Sequence, residues 1–169
     1  MYSLEEETYL YDITILLKTL LSHIDKVCYI SFNKTGESIR VFCDQNNIDF
    51  SRILVIDMIS PRLRDCKNTD NIFYTNLENL TDAAKEIIKI MENNSCRSYI
   101  LDSLSTMNIY YDEKQLLKFT HELLVYTESK HMISNLIIQR HDEKKEWLKS
   151  IIPLVGKPKE IRSSETKNL

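Results

Sequence analysis

The sequence predicts a three-layer α/β domain with a parallel sheet and helices on both faces. Short runs of β-branched and aromatic residues alternate with longer segments in which apolar residues recur every three or four positions. Strands that alternate with amphipathic helices are typical of βαβ units. The segments at residues 53–56 and 136–138 are wholly apolar, as expected for strands covered on both faces. At 169 residues the chain has the length of one domain.

The first half of the chain contains two predicted helices and three predicted strands. Apolar residues at helical spacing over residues 10–24 predict the first helix. Thr35 is the predicted N-cap of the second helix, which extends to about Asn46 and has Glu37 in its first turn. The predicted strands are residues 27–32, 53–56 and 72–74.

The second half of the chain repeats this alternation. Thr81 is a predicted helix cap, Asp112 and Gln115 have the spacing of a capping box, and Pro153 is expected to end the last helix. The predicted helices are residues 80–91, 112–126 and 142–152, and the predicted strands are residues 99–102, 136–138 and, at an edge, 159–162. We expect one domain over residues 1–162 and a flexible tail over residues 163–169.

The glycine content excludes the common nucleotide-binding loops. Loops of the GxxxxGK[ST] and GxGxxG types need several glycines within a few residues, because backbone N–H groups must approach the phosphate closely. The two glycines of this chain, Gly36 and Gly156, are far apart. Neither loop is therefore encoded in the sequence.

Charge and cysteine content restrict the partners and the compartment. Lys and Arg total 22, Asp and Glu total 25, and the basic residues are scattered, so nucleic-acid binding is not expected. The four cysteines are well separated, without a C-x-x-C pair, which favours reduced thiols and a cytoplasmic protein. No apolar stretch approaches the roughly 20 residues needed to span a bilayer, so no membrane association is expected.

Polar side chains follow the predicted strands, where parallel sheets bind their ligands. These residues are Asn33, Lys34, Asp57, Ser60, Asp102, Ser103, Ser105, Gln139, Arg140 and His141. One interpretation is that loops meet water at these positions; the other is that the residues form a binding site. Asp102 is the most specific candidate, because an acid at the end of an apolar strand can hold Mg²⁺ through water, as the Walker-B aspartate does.

Five segments together resemble the archaeal RecA-like proteins, and in particular small KaiC-like members without a P-loop. They are VCYISFNK at residues 27–34, NID at 47–49, ILVIDMIS at 53–60, NLTD at 79–82 and ILDSLST at 100–106. The similarity covers most of the chain, from about residue 10 to residue 161. It implies a RecA-like fold and an association with copies of itself or with a related RecA-like ATPase.

Two departures from the family pattern predict that the chain is not an active ATPase. In active members a core strand and a P-loop precede the first helix, whereas residues 1–8 are acidic and glycine-free, so we expect both features to be missing. Active KaiC-like ATPases also carry paired glutamates after the strand that here ends at Phe32. This chain has Asn33 and Lys34 there, and neither is a general base of the usual kind.

Other catalytic patterns are weaker. Asp57, followed by Ser60 and Pro61, is similar to the phosphate-accepting aspartate of response-regulator receivers, but the acidic pair that receivers need for Mg²⁺ is not found. The four histidines lack the spacing of metal ligands, and no G-x-S-x-G nucleophile motif is present. We therefore predict no catalytic residue, no metal site and no cofactor.

Two functional hypotheses follow. The first is a non-catalytic RecA-like domain that acts as a regulatory or protein-interaction module, with the sheet edges and the segment at Tyr110 and Tyr111 as candidate surfaces. The second is a protein that still binds a nucleotide or another anion. The binding residues would then be Asn33, Lys34, Asp102, Ser103, Ser105 and Arg140. An enzyme with an unfamiliar site remains a third alternative.

Overall fold

The computed structural model describes residues 1–62, 65–75 and 79–161, which form a six-stranded sheet with helices on both faces. All strand pairs are parallel, and the order across the sheet is β1-β6-β5-β2-β3-β4. The strands are β1 (Tyr2–Leu4), β2 (Val27–Ser31), β3 (Ile53–Asp57), β4 (Ile72–Tyr74), β5 (Ser98–Asp102) and β6 (Ile133–Gln139). The helices are α1 (Tyr9–His23), α2 (Gly36–Gln45), α3 (Leu80–Asn93), α4 (Leu104–Tyr110), α5 (Glu113–Ser129) and α6 (Glu146–Val155). The predicted fold class is therefore confirmed.

Two apolar cores lie on opposite faces of this sheet. On one face, α1 and α2 contribute Leu17 and Ile39 to a buried cluster that includes Val55 of β3. On the other face, the remaining helices pack around a cluster that includes Phe32 and Phe119, whose rings meet edge to face at a centroid distance of 6.0 Å. Residues 53–57 are buried throughout because both faces of β3 are covered.

Helix caps account for most of the helix boundaries. Thr35 Oγ1 accepts from the backbone N–H of Ser38, and the capping box predicted for Asp112 and Gln115 is complete, with both reciprocal hydrogen bonds. The cap of α3 differs from the prediction. Asn79 rather than Thr81 is the N-cap, because the Asn79 side chain accepts from the backbone N–H of Thr81.

The last helix also differs from the prediction. Residues 140–142 form a single 3₁₀ turn, so α6 begins at Glu146 rather than at Asp142. Pro153 lies within α6, which continues to Val155 and ends at Gly156 with a φ of 77°. Glycine adopts this positive φ without the steric cost that a Cβ imposes, so the glycine rather than the proline sets the end of the helix.

Two elements were not predicted. The helix α4 is too short for a clear apolar period, and Ser103 begins it by accepting from the backbone N–H of Thr106. The strand β1 corrects the expectation that no strand precedes the first helix: residues 2–4 pair with residues 137–139 of β6.

The outer edge of β1 is covered by the C-terminal segment. Lys159 forms an isolated bridge with Tyr2, in which Ser3 N donates to the Lys159 carbonyl and Lys159 N donates to the Met1 carbonyl. The edge strand predicted at residues 159–162 is thus reduced to one bridge within the described range. The tail predicted at residues 163–169 lies outside the described residues.

Candidate functional site

The carboxyl ends of the parallel strands bring five chain segments to one edge of the sheet. Leu4 ends β1, Ser31 ends β2, and Gln139 ends β6. Asp57 and Asp102 end β3 and β5, and both pair in register with Ser31. Because residues paired in a parallel register point to the same face, the two aspartates and Ser31 all face α1 and α2.

Asp57 is fully used by the fold. Its Oδ2 accepts from Gly36 N at 2.6 Å and from the Ser60 hydroxyl at 2.6 Å, and its Oδ1 accepts from Ile59 N and Ser60 N at 2.8 Å each. The side chain is buried, so it anchors the N-terminus of α2 and the turn after β3. This geometry leaves no exposed carboxylate for the phosphate transfer of a response-regulator receiver.

Asp102 is also fully buried, but its environment is different. Its Oδ2 accepts from the Tyr29 hydroxyl at 2.5 Å, whereas Oδ1 has no hydrogen-bond partner among the residues that the structure describes. Tyr29 faces Asp102 because it lies two residues before Ser31 on the neighbouring strand. The carboxylate therefore sits inside the protein with one oxygen bound to a phenol.

Three more side chains surround Asp102. Asn33 Nδ2 donates to the Tyr9 hydroxyl at 3.5 Å, and the Lys34 ammonium lies 4.8 Å from the centroid of the Tyr9 ring. The Ser31 hydroxyl holds the turn that carries these residues, since it donates to the Lys34 carbonyl and accepts from Lys34 N. The exit from β2 thus places an amide and a cation over the first residue of α1.

Burial sets the protonation of this cluster. It raises the pKa of the Asp102 carboxyl, and the Tyr29 hydroxyl, the Tyr9 hydroxyl and the Lys34 charge oppose that shift. Burial, followed by the nearby Asp102 charge, also raises the pKa values of Tyr9 and Tyr29. Both phenols consequently stay protonated at neutral pH, and the Tyr29 hydroxyl donates to Asp102.

A cleft of about 310 Å³ opens at the sheet edge beside this cluster. This volume is at the lower end of the range for small-ligand sites. The lining residues are Leu4, Glu6, Tyr9, Leu10, Asn33, Lys34 and Gln139. Asp102 lies behind the part of the wall formed by Tyr9, Asn33 and Lys34, the three lining residues that influence its pKa.

One wall of the cleft belongs to the turn that joins β1 to α1. A strand, a turn and a helix N-terminus are the elements with which P-loop proteins bind phosphate. Here the turn is Glu5-Glu6-Glu7-Thr8, and the Thr8 hydroxyl donates to Asp12 in the first turn of α1 at 2.7 Å. Carboxylates of the chain thus lie where such proteins offer N–H groups and glycine.

Arg140 is held within this edge by two carboxylates. Its Nη1 lies 3.0 Å from Glu5 Oε1, and its Nη2 lies 2.7 Å from Glu160 Oε1. Its side chain is 37% exposed. Arg140 therefore ties the acidic turn to the end of β6 and to the C-terminal segment.

Ser103 and Ser105 also make contacts within the fold. The Ser103 hydroxyl caps α4 and hydrogen-bonds to the Thr106 hydroxyl at 3.0 Å. Ser105 Oγ accepts from Gln139 N at 2.8 Å, which joins α4 to the end of β6. Of the six predicted binding residues, Asn33 and Lys34 line the cleft; Asp102 does not line it, but both residues act on its pKa.

Sequence reasoning missed Tyr9, Tyr29 and Glu6. Tyr29 could have been predicted, because residues two apart on a strand lie on the same face and Tyr29 lies two residues before Ser31. Tyr9 and Glu6 carried no comparable signal, because their positions depend on β1, which is only three residues long. In the part of the chain that the structure describes, no group of three His, Cys, Asp or Glu side chains is arranged to hold a metal ion. Within the same part, no helix is long and apolar enough to cross a bilayer.

The fold is similar to that of a KaiC-like protein from the hyperthermophilic archaeon Pyrococcus horikoshii, with a TM-score of 0.54 and 8% sequence identity. The match covers 78% of this chain and 55% of that protein, so this chain spans about half the length of the structure that it resembles. No protein-family model and no curated protein matches the sequence. This similarity shows the fold alone: a parallel-sheet α/β domain like that of the KaiC-like protein.

Proposed function

We propose that this chain is a non-catalytic RecA-like domain that acts through contacts with other proteins, as a regulatory or interaction module. The observation that carries the proposal is the turn between β1 and α1. Three consecutive carboxylates, Glu5 to Glu7, stand where a P-loop protein presents glycines and N–H groups to phosphate.

Electrostatics oppose a triphosphate in this cleft. Two like charges about 4 Å apart repel by about 4 kcal/mol at the effective dielectric constant of a protein surface. Glu6 lines the cleft, Glu7 is its exposed neighbour, and Lys34 is the lining residue with a positive charge. Arg140 is engaged with Glu5 and Glu160. The local balance is therefore negative, and a polyphosphate would add several more negative charges.

The residues at the positions of the catalytic base and of the metal ligand are also unsuited to ATP hydrolysis. Asn33 and Lys34 follow β2, and neither is a carboxylate that could polarise an attacking water. Asp102 is enclosed by Tyr29 and lies behind Tyr9 rather than in the lining of the cleft. Because Asp102 does not line the cleft, it is not placed to position a metal ion against a ligand bound there.

Two exposed apolar sites are candidate contact surfaces for a second copy or for a related RecA-like ATPase. Leu10 and Tyr11, at the start of α1, are 51% and 63% exposed beside the cleft. Ile109, at the end of α4, is 75% exposed, and its neighbour Tyr110 is exposed as well. Large apolar side chains grouped on a surface are typical of protein interfaces.

Light scattering after size-exclusion chromatography, over a range of concentrations, tests the self-association form of the proposal. We expect a species larger than the monomer, and we expect Tyr11→Asp or Ile109→Asp to dissociate it. Val125→Asp is the matched control, because Val125 is a similarly exposed apolar residue on α5. A strict monomer that also fails to bind a related RecA-like ATPase would contradict the proposal.

The second candidate function is binding of a nucleotide or another anion, favoured by the presence of Asn33 and Lys34 in the lining of the cleft. Thermal unfolding with Mg²⁺ and a nucleotide tests it. A ligand at 100 times its dissociation constant stabilises the fold by about 2.7 kcal/mol. We expect no stabilisation; a shift that Lys34→Met removes and Lys26→Met keeps would favour the second candidate.

A further inference from the structure

We propose that the chain forms a strand-exchanged dimer, in which residues 159–161 of each copy cover the β1 edge of the other copy. The inference rests on the proposed function and deepens it, because it names one partner, a second copy of this chain, and the surface that binds it. Its support comes from the contacts of residues 159–161, the short connector that precedes them and the exposed apolar surface beside that connector.

The outer edge of β1 is a site for an extended segment. Ser3 N donates to the Lys159 carbonyl at 2.9 Å, and Lys159 N donates to the Met1 carbonyl at 3.1 Å. The bridge between Tyr2 and Lys159 is parallel, so the segment runs in the same direction as β1. Without the segment, these backbone groups would form an open sheet edge, to which strands of other chains readily add.

Side chains make this edge complementary to residues 159–161. Glu160 Oε1 lies 2.7 Å from Nη2 of Arg140, which also pairs with Glu5 at 3.0 Å. Ile161 packs against the apolar core that α1 and α2 cover. These contacts are the same whether the segment and the edge belong to one chain or to two, so a second copy offers the same complementarity.

The connector between α6 and this segment is short and exposed. α6 packs through Trp147 into the core on one face of the sheet, whereas Ile161 packs on the opposite face. Residues 156–158 alone join the end of α6 at Val155 to the paired segment. Gly156 is exposed, with open space where a side chain would begin. A short connector that must cross a sheet edge favours exchange, because it reaches a neighbouring copy when it extends.

An apolar surface lies next to the connector. Leu154, in the last turn of α6, is 36% exposed, and Pro153 before it is exposed as well. In a strand-exchanged dimer the two connectors run past each other, which brings this surface of one copy toward that of the other. The exchange therefore covers apolar side chains that a single chain leaves in water.

Disulfide trapping tests the exchange, because Tyr2 and Lys159 are paired on neighbouring backbone segments, at a spacing that suits a disulfide. A chain with Tyr2→Cys is mixed with a chain with Lys159→Cys under reducing conditions and then oxidised with glutathione disulfide. We expect a cross-linked dimer whose yield rises with protein concentration. Tyr2→Cys mixed with Lys85→Cys is the matched control, because Lys85 is a lysine on α3 that is 72% exposed. We expect the control to give no more cross-linking than the native chain.

A variant with both Tyr2→Cys and Lys159→Cys in one chain checks the pairing itself. At low concentration it should form the disulfide within the chain. If it does so and the mixture gives no cross-linking above the control, the exchange does not occur. Failure to form the disulfide within the chain would show that the pairing is absent, and it would overturn the inference as well.

The length of the connector provides a second test, with the native edge intact. Insertion of Gly-Ser after Gly156 should remove most of the dimer measured by light scattering, because a longer connector lets the segment pair with its own chain. The same insertion after Lys67, an exposed residue before β4, is the control and should leave the dimer unchanged. Equal dimer fractions in the two variants would contradict the exchange.

Failure of the exchange is distinguishable from failure of the proposed function. Association that Tyr11→Asp removes, without cross-linking in the mixture, would overturn the exchange and leave the interaction module intact. A monomer that gives no cross-linking and binds no related RecA-like ATPase would overturn both. Cross-linking above the control, together with loss of the dimer on insertion after Gly156, supports both.

Discussion

Asp102 is a carboxylate at the end of a strand whose surroundings are not those of a metal ligand. It ends β5 at the sheet edge, as a Walker-B acid does, but it is buried and accepts a hydrogen bond from Tyr29. An unpaired buried charge is costly, and the pKa of this carboxyl is raised accordingly. Its measurable consequence is a pH dependence of stability.

Asp102→Asn should raise the free energy of unfolding relative to the native chain more at pH 7 than at pH 4. A carboxyl whose pKa is higher in the folded state binds its proton more tightly there. Its contribution to stability is therefore present below the unfolded value of 3.8 and is lost as the pH rises through the folded pKa. Denaturant unfolding of both chains across this range measures the difference, and a difference that is constant with pH would refute the explanation.

Tyr29→Phe should lower the free energy of unfolding at pH 7 by about 1.5–3 kcal/mol, because it removes the hydroxyl that donates to the charged Asp102. The same substitution in the Asp102→Asn background should cost less, since the buried group is then neutral. Equal losses in both backgrounds would show that the hydroxyl does not act through the carboxylate.

Some of the site residues could be predicted from the sequence, and others could not. Asn33, Lys34 and Asp102 lie at the ends of apolar strands, so the rule for parallel sheets predicts them from the sequence alone. The contacts of Ser105 and Arg140 depend on partners distant along the chain, Gln139 N and Glu5. The order of the strands in the sheet brings those partners together, and local sequence patterns do not predict that order.

At the scale of the elements, the end of α1 depends on a residue from a later segment. Arg52 follows α2, in the 3₁₀ turn before β3, and its guanidinium donates to the carbonyls of Leu21, Ile24 and Asp25. The last carbonyls of a helix have no partner within it, and a cation there also complements the helix dipole. One side chain thus joins α1 to the strand that follows α2.

Arg52→Met should lower the free energy of unfolding by about 1–3 kcal/mol, because these carbonyls lose a charged donor. Arg40→Met is the control: Arg40 pairs with Glu37 on the exposed surface of α2 and should matter little. Chemical denaturation compares the two variants, and similar losses in both would contradict the assigned role of Arg52.

Long elements were predicted well, whereas among the short ones β4 was predicted and β1 and α4 were not. The helices α1, α2, α3 and α5 have an apolar stripe or a cap that is legible in the sequence. The strand β1 and the helix α4 are three and seven residues long, so neither repeats its period often enough to be recognised. β1 is defined by its pairing with β6, and a sequence of three residues does not predict that pairing.

At the scale of the whole molecule, the alternation of strands and helices was sufficient to predict a parallel sheet with two covered faces. Wholly apolar runs such as residues 53–56 of β3 determined that result. The cleft was not predictable in the same way, because it forms only where β1, the exit from β2 and the end of β6 meet. Its acidic wall was present in the sequence as residues 5–7, but their place beside Asn33 and Lys34 required the fold.

Release of inorganic phosphate from Mg·ATP by the purified chain tests the central claim most directly. Because the turn between β1 and α1 presents carboxylates rather than N–H groups, we predict release at the rate of buffer alone, and the same rate for Asp102→Asn. Release above that rate in the native chain, abolished by Asp102→Asn, would contradict the account.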